Sequence, residues 1–169
     1  ENGSEIGGVI LKKYTIGIDF GTLSGRCLLA DVETGEEIAT SVLEYRHRVM
    51  SETLPDGTRL GVDWHLQHPG DYLDVLRITI RDVIKQAEIR PEQVIGIGID
   101  TTGCTILPIK KDGTPLCFLE RWKGSPNAYV KLWKHHAAQP YADKMTETAL
   151  ARNEKFIQRY GGKISSEWM

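Results

Sequence analysis

The sequence has few of the features that mark several common protein classes. Its 169 residues include only three cysteines, Cys27, Cys104 and Cys117, and no C-x-x-C pair, so we expect no disulfide framework and reduced thiols in the cytoplasm. No apolar run approaches the ~20 residues that a transmembrane helix requires. With 21 Lys and Arg against 23 Asp and Glu, the formal net charge of −2 predicts no general affinity for nucleic acid or anionic membrane.

The first residues carry no recognisable targeting signal. Residues 1–8 lack an initiator Met, and they lack the basic segment and long apolar stretch of a signal peptide. We expect residues 1–12 to be a disordered N-terminus or a remnant of protein expression, and residues 13–169 to be the folded part. Hydrophobic residues make up 40% of the sequence and charged residues 26%, which is ordinary for a soluble globular protein.

Alternating apolar residues predict three strands in the first part of the chain. Residues 14–20 form the first, with Ile16, Ile18 and Phe20 on one face. Residues 26–32 form the second, and their nearly continuous apolar character predicts burial on both faces. A third follows near residues 38–45. Short turns between these strands predict an antiparallel meander.

The rest of the sequence predicts helices around one further strand. Pro69 opens a helix with apolar residues at helical spacing, and residues 94–100 form a compact strand. A hairpin is expected from residues 105–109 and the turn Lys111-Asp112-Gly113 that follows. Two further helices are predicted: one begins at Ser125-Pro126 and buries Trp133, and the other runs from Pro140 to Tyr160 and stops at Gly161-Gly162.

The turn between the first two strands, Asp19-Phe-Gly-Thr-Leu-Ser-Gly-Arg26, has the composition of a phosphate site. A tight turn between buried strands can direct backbone N–H groups into one concavity, and Thr22 and Ser24 add hydroxyl donors. Glycines at 21 and 25 would permit close approach and unusual dihedrals. Asp19 can hold a hydrated Mg²⁺. The alternative is a plain hairpin turn, since the same residues are favoured in turns; Walker and Rossmann motifs are both absent from the sequence.

Several segments resemble one enzyme family, the FGGY carbohydrate kinases. Ile16-Gly-Ile-Asp-Phe-Gly-Thr22 resembles the family's opening motif, and Val62–Pro69 is similar to its tryptophan-containing segment before the first helix. Ile95–Asp100 resembles the next strand, which a sugar-contacting turn follows. Two longer segments, Asn127–Ala138 and Arg159–Trp168, resemble the L-ribulokinases within the family. The resemblance extends over essentially the whole chain from residue 13.

This resemblance implies a fold and a reaction. The fold is the ribonuclease H-like α/β fold of actin-type ATPases, a mixed sheet flanked by helices, and this chain would be an incomplete first domain. The reaction is phosphorylation of a ketopentose, above all L-ribulose to L-ribulose 5-phosphate in arabinose catabolism, with ATP and Mg²⁺ as cofactors. The family's catalytic aspartate lies downstream, so the chain alone is expected to be inactive.

The resemblance also assigns roles to particular residues. The positions that match the phosphate and Mg²⁺ motif are Asp19, Gly21, Thr22 and Ser24, with Asp19 binding Mg²⁺ through water. Arg26 could add positive charge to this ATP site or be a structural residue at the start of a strand. The positions that match the sugar turn are Thr101, Thr102, Gly103 and Cys104. Other family members carry larger polar groups in this turn, so sugar contacts here would be made mostly by backbone. Asp100 could bond a sugar hydroxyl or be an ordinary carboxylate at a strand end.

Other polar and aromatic residues carry weaker signals. Pairs of histidines at 65 and 68 and at 135 and 136 lack the spacing of a zinc site. Trp64 and Trp122 could stack on a sugar or pack at a rim. Three lysines, Lys123, Lys131 and Lys134, are expected on a solvated face.

Two alternatives to the ketopentose reaction remain open. The protein could be another pentulose or polyol kinase of the same family. It could instead be an actin-like nucleotide-binding module without sugar chemistry. In either case the unfinished sheet predicts exposed strand edges, and therefore a possible homo-oligomer.

Overall fold

A computed structural model describes residues 12–169, so the expectation for the N-terminus lies, apart from Lys12, outside the described residues. The described chain forms two compact units: the first comprises residues 12–46 and 70–101, and the second residues 47–69 and 102–169. Within this part of the chain, every helix is too short or too polar to cross a bilayer. In chain order the elements are β1 (Tyr14–Phe20), β2 (Ser24–Asp31), β3 (Glu37–Glu44), β4 (Leu66–Gln67), α1 (Pro69–Gln86), β5 (Val94–Thr101), β6 (Val130–Lys131) and α2 (Gln139–Ala151).

The first unit contains a mixed four-stranded sheet in the order β3-β2-β1-β5. The predicted meander is present, because β1 pairs antiparallel with β2, and β2 pairs antiparallel with β3. Strand β5 pairs parallel with β1, which requires the crossover that α1 provides. The predicted mixed sheet with helical cover is therefore confirmed.

Helix α1 covers one face of this sheet. Ile16, Ile18 and Leu29 of the strands are buried together with Val75 and Val83 of the helix. The prediction that β2 is buried on both faces is wrong. Its residues alternate between buried and more exposed positions, because α1 covers only one face.

Strand β5 leaves an apolar strip uncovered. Ile95, Ile97 and Ile99 are 58%, 56% and 62% exposed. The register pairs Ile97 with Ile16 and Ile99 with Ile18, so these isoleucines share the face on which α1 packs, beyond the area that the helix covers. Only one edge of β5 is paired within residues 12–169. We call these three isoleucines the β5 strip.

The second unit is built around the short antiparallel pair β4 and β6. Leu66, Cys117 and Tyr129 are buried in its core. Burial raises the pKa of Cys117 to about 11 and that of Tyr129 to about 12, so both groups stay protonated at neutral pH.

The helix predicted from Ser125 is wrong. Residues Pro126–Ala128 form a single 3₁₀ turn, and Val130 and Lys131 are extended in β6. Pro126 does begin a helical turn, as predicted. The helix does not continue, because pairing of β6 with β4 outweighs the helical preference of the residues after the turn. Trp133, expected in the core of that helix, is 46% exposed.

The hairpin predicted from residues 105–109 and the turn at residues 111–113 is only partly present. Lys110 N–H donates to the Thr114 carbonyl at 2.9 Å, which closes the predicted turn. Beyond it, the arms are joined only by an isolated bridge between Ile109 and Pro115. Proline cannot donate to a strand ladder, so pairing ends there.

The last predicted helix is correct at both ends and wrong in the middle. Helix α2 ends at Ala151, Asn153 adopts a left-handed φ of 53°, and a 3₁₀ segment follows over Lys155–Tyr160. Gly161, at φ 68°, ends that segment as expected for a left-handed cap. The interruption folds Ile157 back onto Ala142 and Ala149.

Candidate functional site

The turn between β1 and β2 is tight and held from two sides. Gly21 N–H donates to the Ser24 carbonyl at 3.0 Å, and Tyr45 N–H donates to the Leu23 carbonyl at 2.9 Å. The second bond ties the tip of the turn to the chain just after β3. Thr22 and Ser24 are half-buried in this turn. The hydroxyl donors of the predicted phosphate site therefore lie on a fixed backbone.

The two glycines of the turn are needed because of close packing and not because of unusual backbone dihedral angles. Neither Gly21 nor Gly25 has a positive φ, so that part of the expectation is wrong. A Cβ on residue 21 would lie 3.2 Å from the Ser24 carbonyl oxygen, inside its own turn. A Cβ on residue 25 would lie 2.5 Å from Val75 Cγ1, which allows α1 to approach the sheet directly beneath the turn.

Charged side chains gather on the sheet face opposite α1. Asp19 and Arg26 are cross-strand partners, with Asp19 Oδ2 and Arg26 Nη1 4.0 Å apart and both side chains more than half exposed. Asp100 lies beside Asp19 in the parallel register of β1 and β5. Because both strands end here, the carboxyl ends of two parallel strands carry adjacent carboxylates, an arrangement that suits hydrated Mg²⁺.

A groove of about 380 Å³ runs along this face. Gly17 and Gly98 are register partners in its floor, and a Cβ on either would meet no heavy atom within 4 Å. Asp19, Arg26 and Asp100 line the same groove. The residues present therefore fit a metal ion and an anionic group lying against bare backbone.

Aromatic rings support the turn from the core side. The ring centroids of Phe20 and Tyr72 are 5.2 Å apart, and those of Tyr45 and Tyr72 are 5.5 Å apart. Burial, reinforced by the charges of neighbouring acids, raises the pKa of Tyr45 and Tyr72 well above the ordinary tyrosine value. The Tyr45 hydroxyl is buried and has no hydrogen-bond partner within residues 12–169.

The predicted sugar turn begins at the end of β5. Thr101 N–H donates to Asp100 Oδ1 at 2.9 Å, and the Thr102 and Thr105 hydroxyls are 2.7 Å apart. A Cβ on Gly103 would meet nothing within 4 Å. Cys104 is exposed and has a φ of 55°, a left-handed conformation that is uncommon outside glycine and asparagine.

A cavity of about 310 Å³ lies in the second unit, with Cys104 in its wall. His135 and Lys131 also line it. His135 Nδ1 accepts a hydrogen bond from His65 N–H at 3.1 Å, and its ring lies edge-on against Trp64 with centroids 4.8 Å apart. Burial, together with the nearby charge of Lys131, lowers the pKa of His135 to about 4, so the imidazole is neutral at pH 7.

The prediction that Lys131 lies on a solvated face is wrong. Lys131 was expected there with two other lysines, but it is partly buried, and desolvation lowers its pKa. Its Nζ reaches only the carbonyl oxygens of Pro126 and Tyr129, each at 3.5 Å. Within residues 12–169 no carboxylate pairs with it.

The predicted site residues fall into two groups. Asp19, Gly21, Thr22, Ser24 and Arg26 lie together at the β1–β2 turn of the first unit, where Thr101 is the register partner of Phe20. Thr102, Gly103 and Cys104 belong to the second unit. Sequence reasoning missed the adjacency of Asp19 and Asp100. The signal was available, because Asp19 is the next-to-last residue of one predicted strand, Asp100 is the last of the other, and parallel strands end at the same edge.

Comparison with known proteins places this arrangement in a family. The sequence profile of the N-terminal domain of the FGGY family of carbohydrate kinases matches residues 14–165. A gluconate kinase from Lactobacillus acidophilus has a similar fold, with a TM-score of 0.63 and 17% sequence identity over 85% of this chain and 24% of its own. The chain belongs to the FGGY family of carbohydrate kinases.

Two relatives at higher sequence identity are ribulokinases. The ribulokinase of Shouchella clausii is 57% identical over 160 residues, which is 94% of this chain and 28% of the relative. The ribulokinase of Bacillus licheniformis is 56% identical over 148 residues, or 87% of this chain and 27% of the relative. The chain thus spans little more than a quarter of the length of the curated relatives it matches.

Proposed function

We propose that the whole protein transfers the γ-phosphoryl group of ATP to the terminal hydroxyl of L-ribulose, giving L-ribulose 5-phosphate and ADP in the cytoplasm. The observation that carries this proposal is the 57% identity to a ribulokinase over 94% of the chain. The gluconate kinase with a similar fold, at 17% identity, supports the fold but not a choice of sugar.

The geometry of the first unit supports a role in phosphoryl transfer. The transfer depends mainly on positioning and on stabilising the charge of the phosphoryl oxygens. Backbone N–H groups of the β1–β2 turn and the hydroxyls of Thr22 and Ser24 would donate to these oxygens. Two hydrogen bonds fix this turn, so the donors need little reorganisation when the charge develops. Arg26 adds a positive charge on the same face.

Asp19, with Asp100 beside it, would hold the hydrated Mg²⁺ that accompanies ATP. When bound, the metal neutralises the phosphates. The glycine floor at Gly17 and Gly98 leaves the space that such a hydrated ion and its phosphate would need. This chain would supply phosphate and metal positions from the first unit.

The sugar side would come from the turn that Thr101, Thr102, Gly103 and Cys104 form. Its open Gly103 would let a polyol lie against backbone. The base that removes the proton from the attacking hydroxyl, an aspartate in this family, would lie in the part of the protein beyond this chain.

A substrate panel tests the proposal. The full-length protein would be assayed with Mg-ATP and, in separate reactions, L-ribulose, D-ribulose, xylulose and ribitol, with ADP release followed in a coupled assay. We expect the highest kcat/KM with L-ribulose. A higher value with another of these sugars would support a different kinase of the family, and no ATP-dependent phosphorylation of any ketopentose would contradict the proposal.

A further inference from the structure

Tyr45, the residue that follows β3, is joined to the β1–β2 turn through its backbone. Its N–H donates to the Leu23 carbonyl at 2.9 Å, which extends the pairing of β2 with β3 one residue beyond the pair of Ser24 and Glu44. Leu23 lies between Thr22 and Ser24, the two residues whose hydroxyls are proposed to donate to the phosphoryl oxygens. Because peptide units are rigid, a displacement of the Leu23 carbonyl would move both of these residues.

The side chain of Tyr45 fixes the position of this N–H group. Tyr45 is 2% exposed, and its ring lies edge-on against that of Tyr72 in α1, with centroids 5.5 Å apart. The Tyr72 ring also contacts Phe20, the last residue of β1, with centroids 5.2 Å apart. The three rings thus connect the strand that enters the turn with the residue that holds its tip. Buried aromatic pairs contribute a contact of defined geometry in addition to apolar burial.

The ring of Tyr45 provides this support, whereas its hydroxyl does not. The hydroxyl is buried and has no hydrogen-bond partner within residues 12–169, so its removal from water is a net cost. Phenylalanine at position 45 would keep the ring and its contact with Tyr72, and would remove that cost. Leucine would keep an apolar side chain but lose the contact between rings. The two substitutions therefore separate the ring from the hydroxyl.

We propose that Tyr45 is a positioning residue for phosphoryl transfer, because its ring holds the backbone donor that sets the position of Leu23. The inference rests on the proposed function and extends it to a buried residue that is outside the phosphate turn. Donors stabilise the developing charge most when they already lie where that charge appears. A displacement of about 1 Å at a reacting centre can lower a rate on the order of 100-fold, so looser packing at Tyr45 would slow the transfer.

Steady-state kinetics of the full-length protein with Mg-ATP and L-ribulose test the inference. We expect Tyr45→Leu to lower kcat at least about tenfold, with KM for L-ribulose within about twofold, and Tyr45→Phe to regain most of the lost kcat. Val83→Ala is the matched control for a destabilised core, because Val83 is fully buried against the same sheet, nearer the other end of α1. Its kcat should stay unchanged at a temperature at which all variants are folded. Equal kcat values for Tyr45→Leu and Val83→Ala would overturn the inference.

A double-mutant cycle separates positioning from a loss of folded protein. If Tyr45 acts through Thr22 and Ser24, Tyr45→Leu should lower kcat much less when both of these residues are alanine, because the donors that it positions are then absent. A loss of folded protein would instead lower kcat by the same factor in both backgrounds. That result would contradict the inference.

A measurement on the unaltered protein does not depend on the folding of any variant. Hydrogen exchange of the full-length protein, read at single-residue resolution by mass spectrometry, reports whether the Tyr45 N–H is bonded. We expect this N–H to be protected about as strongly as those of β2, which is paired on both sides. Exchange as fast as that of an unstructured peptide would overturn the inference. Phosphorylation of L-ribulose by the same preparation tests the proposed function separately, whichever result the exchange gives.

Discussion

Val75 on α1 packs directly against the backbone of Gly25 on β2. A Cβ on residue 25 would lie 2.5 Å from Val75 Cγ1 and 2.6 Å from Val75 Cγ2, distances that require the helix or the strand to move. Since Val75 is fully buried, neither group has free space beside it. This contact fixes how closely α1 approaches the sheet below the β1–β2 turn.

The substitution Gly25→Ala is therefore expected to destabilise the fold by about 2–3 kcal/mol through overpacking. Urea unfolding followed by circular dichroism measures the difference. The matched control is Gly17→Ala, whose Cβ would meet no heavy atom within 4 Å, and which should change stability by less than about 0.5 kcal/mol.

A double-mutant cycle identifies the contact responsible. In a Val75→Ala background both γ carbons are absent, so Gly25→Ala should cost less than half of its value in the unaltered chain. If the two substitutions prove additive, the proximity of Val75 is not the cause of the instability.

The lowered pKa of His135 predicts that the free energy of unfolding depends on pH. Its pKa is about 4 in the folded state and about 6.5 in an unfolded chain, so between these values the unfolded state binds more protons. Stability contributed by the neutral ring is fully present above about pH 6.5 and is lost as the pH falls towards 4. Because the ring is only partly buried, we expect a loss on the order of 2 kcal/mol.

Urea unfolding at pH 7, 6, 5 and 4.5 measures this loss. The variant His135→Asn should show a shallower decline over the same range, whereas His136→Asn, which removes a surface ring paired with Glu167, serves as the control. Identical pH profiles for His135→Asn and the unaltered protein would show that His135 is not the titrating group.

The β5 strip predicts self-association of this chain. Three isoleucines more than half exposed along a strand with one unpaired edge form an apolar, aggregation-prone surface. Sedimentation velocity should detect species larger than the monomer, and Ile97→Lys should shift the distribution towards the monomer. Val62→Lys, at an isolated residue that is 86% exposed, should leave it unchanged. A monomeric chain at all concentrations would contradict this prediction.

The proposed metal site predicts that the Mg²⁺ requirement depends on the carboxylates at the ends of β1 and β5. In the full-length protein, Asp19→Asn should raise the Mg²⁺ concentration needed for half-maximal activity, because Asp19 would hold the hydrated ion. Asp112→Asn is the control, since that carboxylate is bound to Lys110 in a surface turn. Activity of Asp19→Asn that saturates at the same Mg²⁺ concentration as the unaltered protein would remove Asp19 from the metal site.

The sheet and α1 were predictable from the sequence because local pattern and tertiary packing agree there. Period-two apolar residues in β1 and helical spacing after Pro69 both match the buried faces. Turn residues fixed the connections of the meander. The partial exposure of β2 was not predictable, since Leu28 is apolar but lies on the face that α1 does not cover.

The second unit was predicted less well, since its elements depend on distant partners. Val130 and Lys131 are extended only because Leu66 and Gln67 pair with them, more than sixty residues earlier in the chain. No local pattern marks such a two-residue strand, so the helical spacing from Ser125 was misleading. For the same reason the cavity around Lys131 and His135 was not anticipated: its lining comes from segments that the sequence does not connect.

The β1–β2 turn is proposed to bind the transferring phosphoryl group. The most direct test is the turnover of the full-length protein in which Thr22 and Ser24 are both replaced by alanine, measured with saturating Mg-ATP and L-ribulose. Loss of the two hydroxyl donors should lower kcat by about 100-fold while the melting temperature stays close to that of the unaltered protein. A kcat within about twofold of the unaltered value, a difference of less than about 0.5 kcal/mol, would contradict the account.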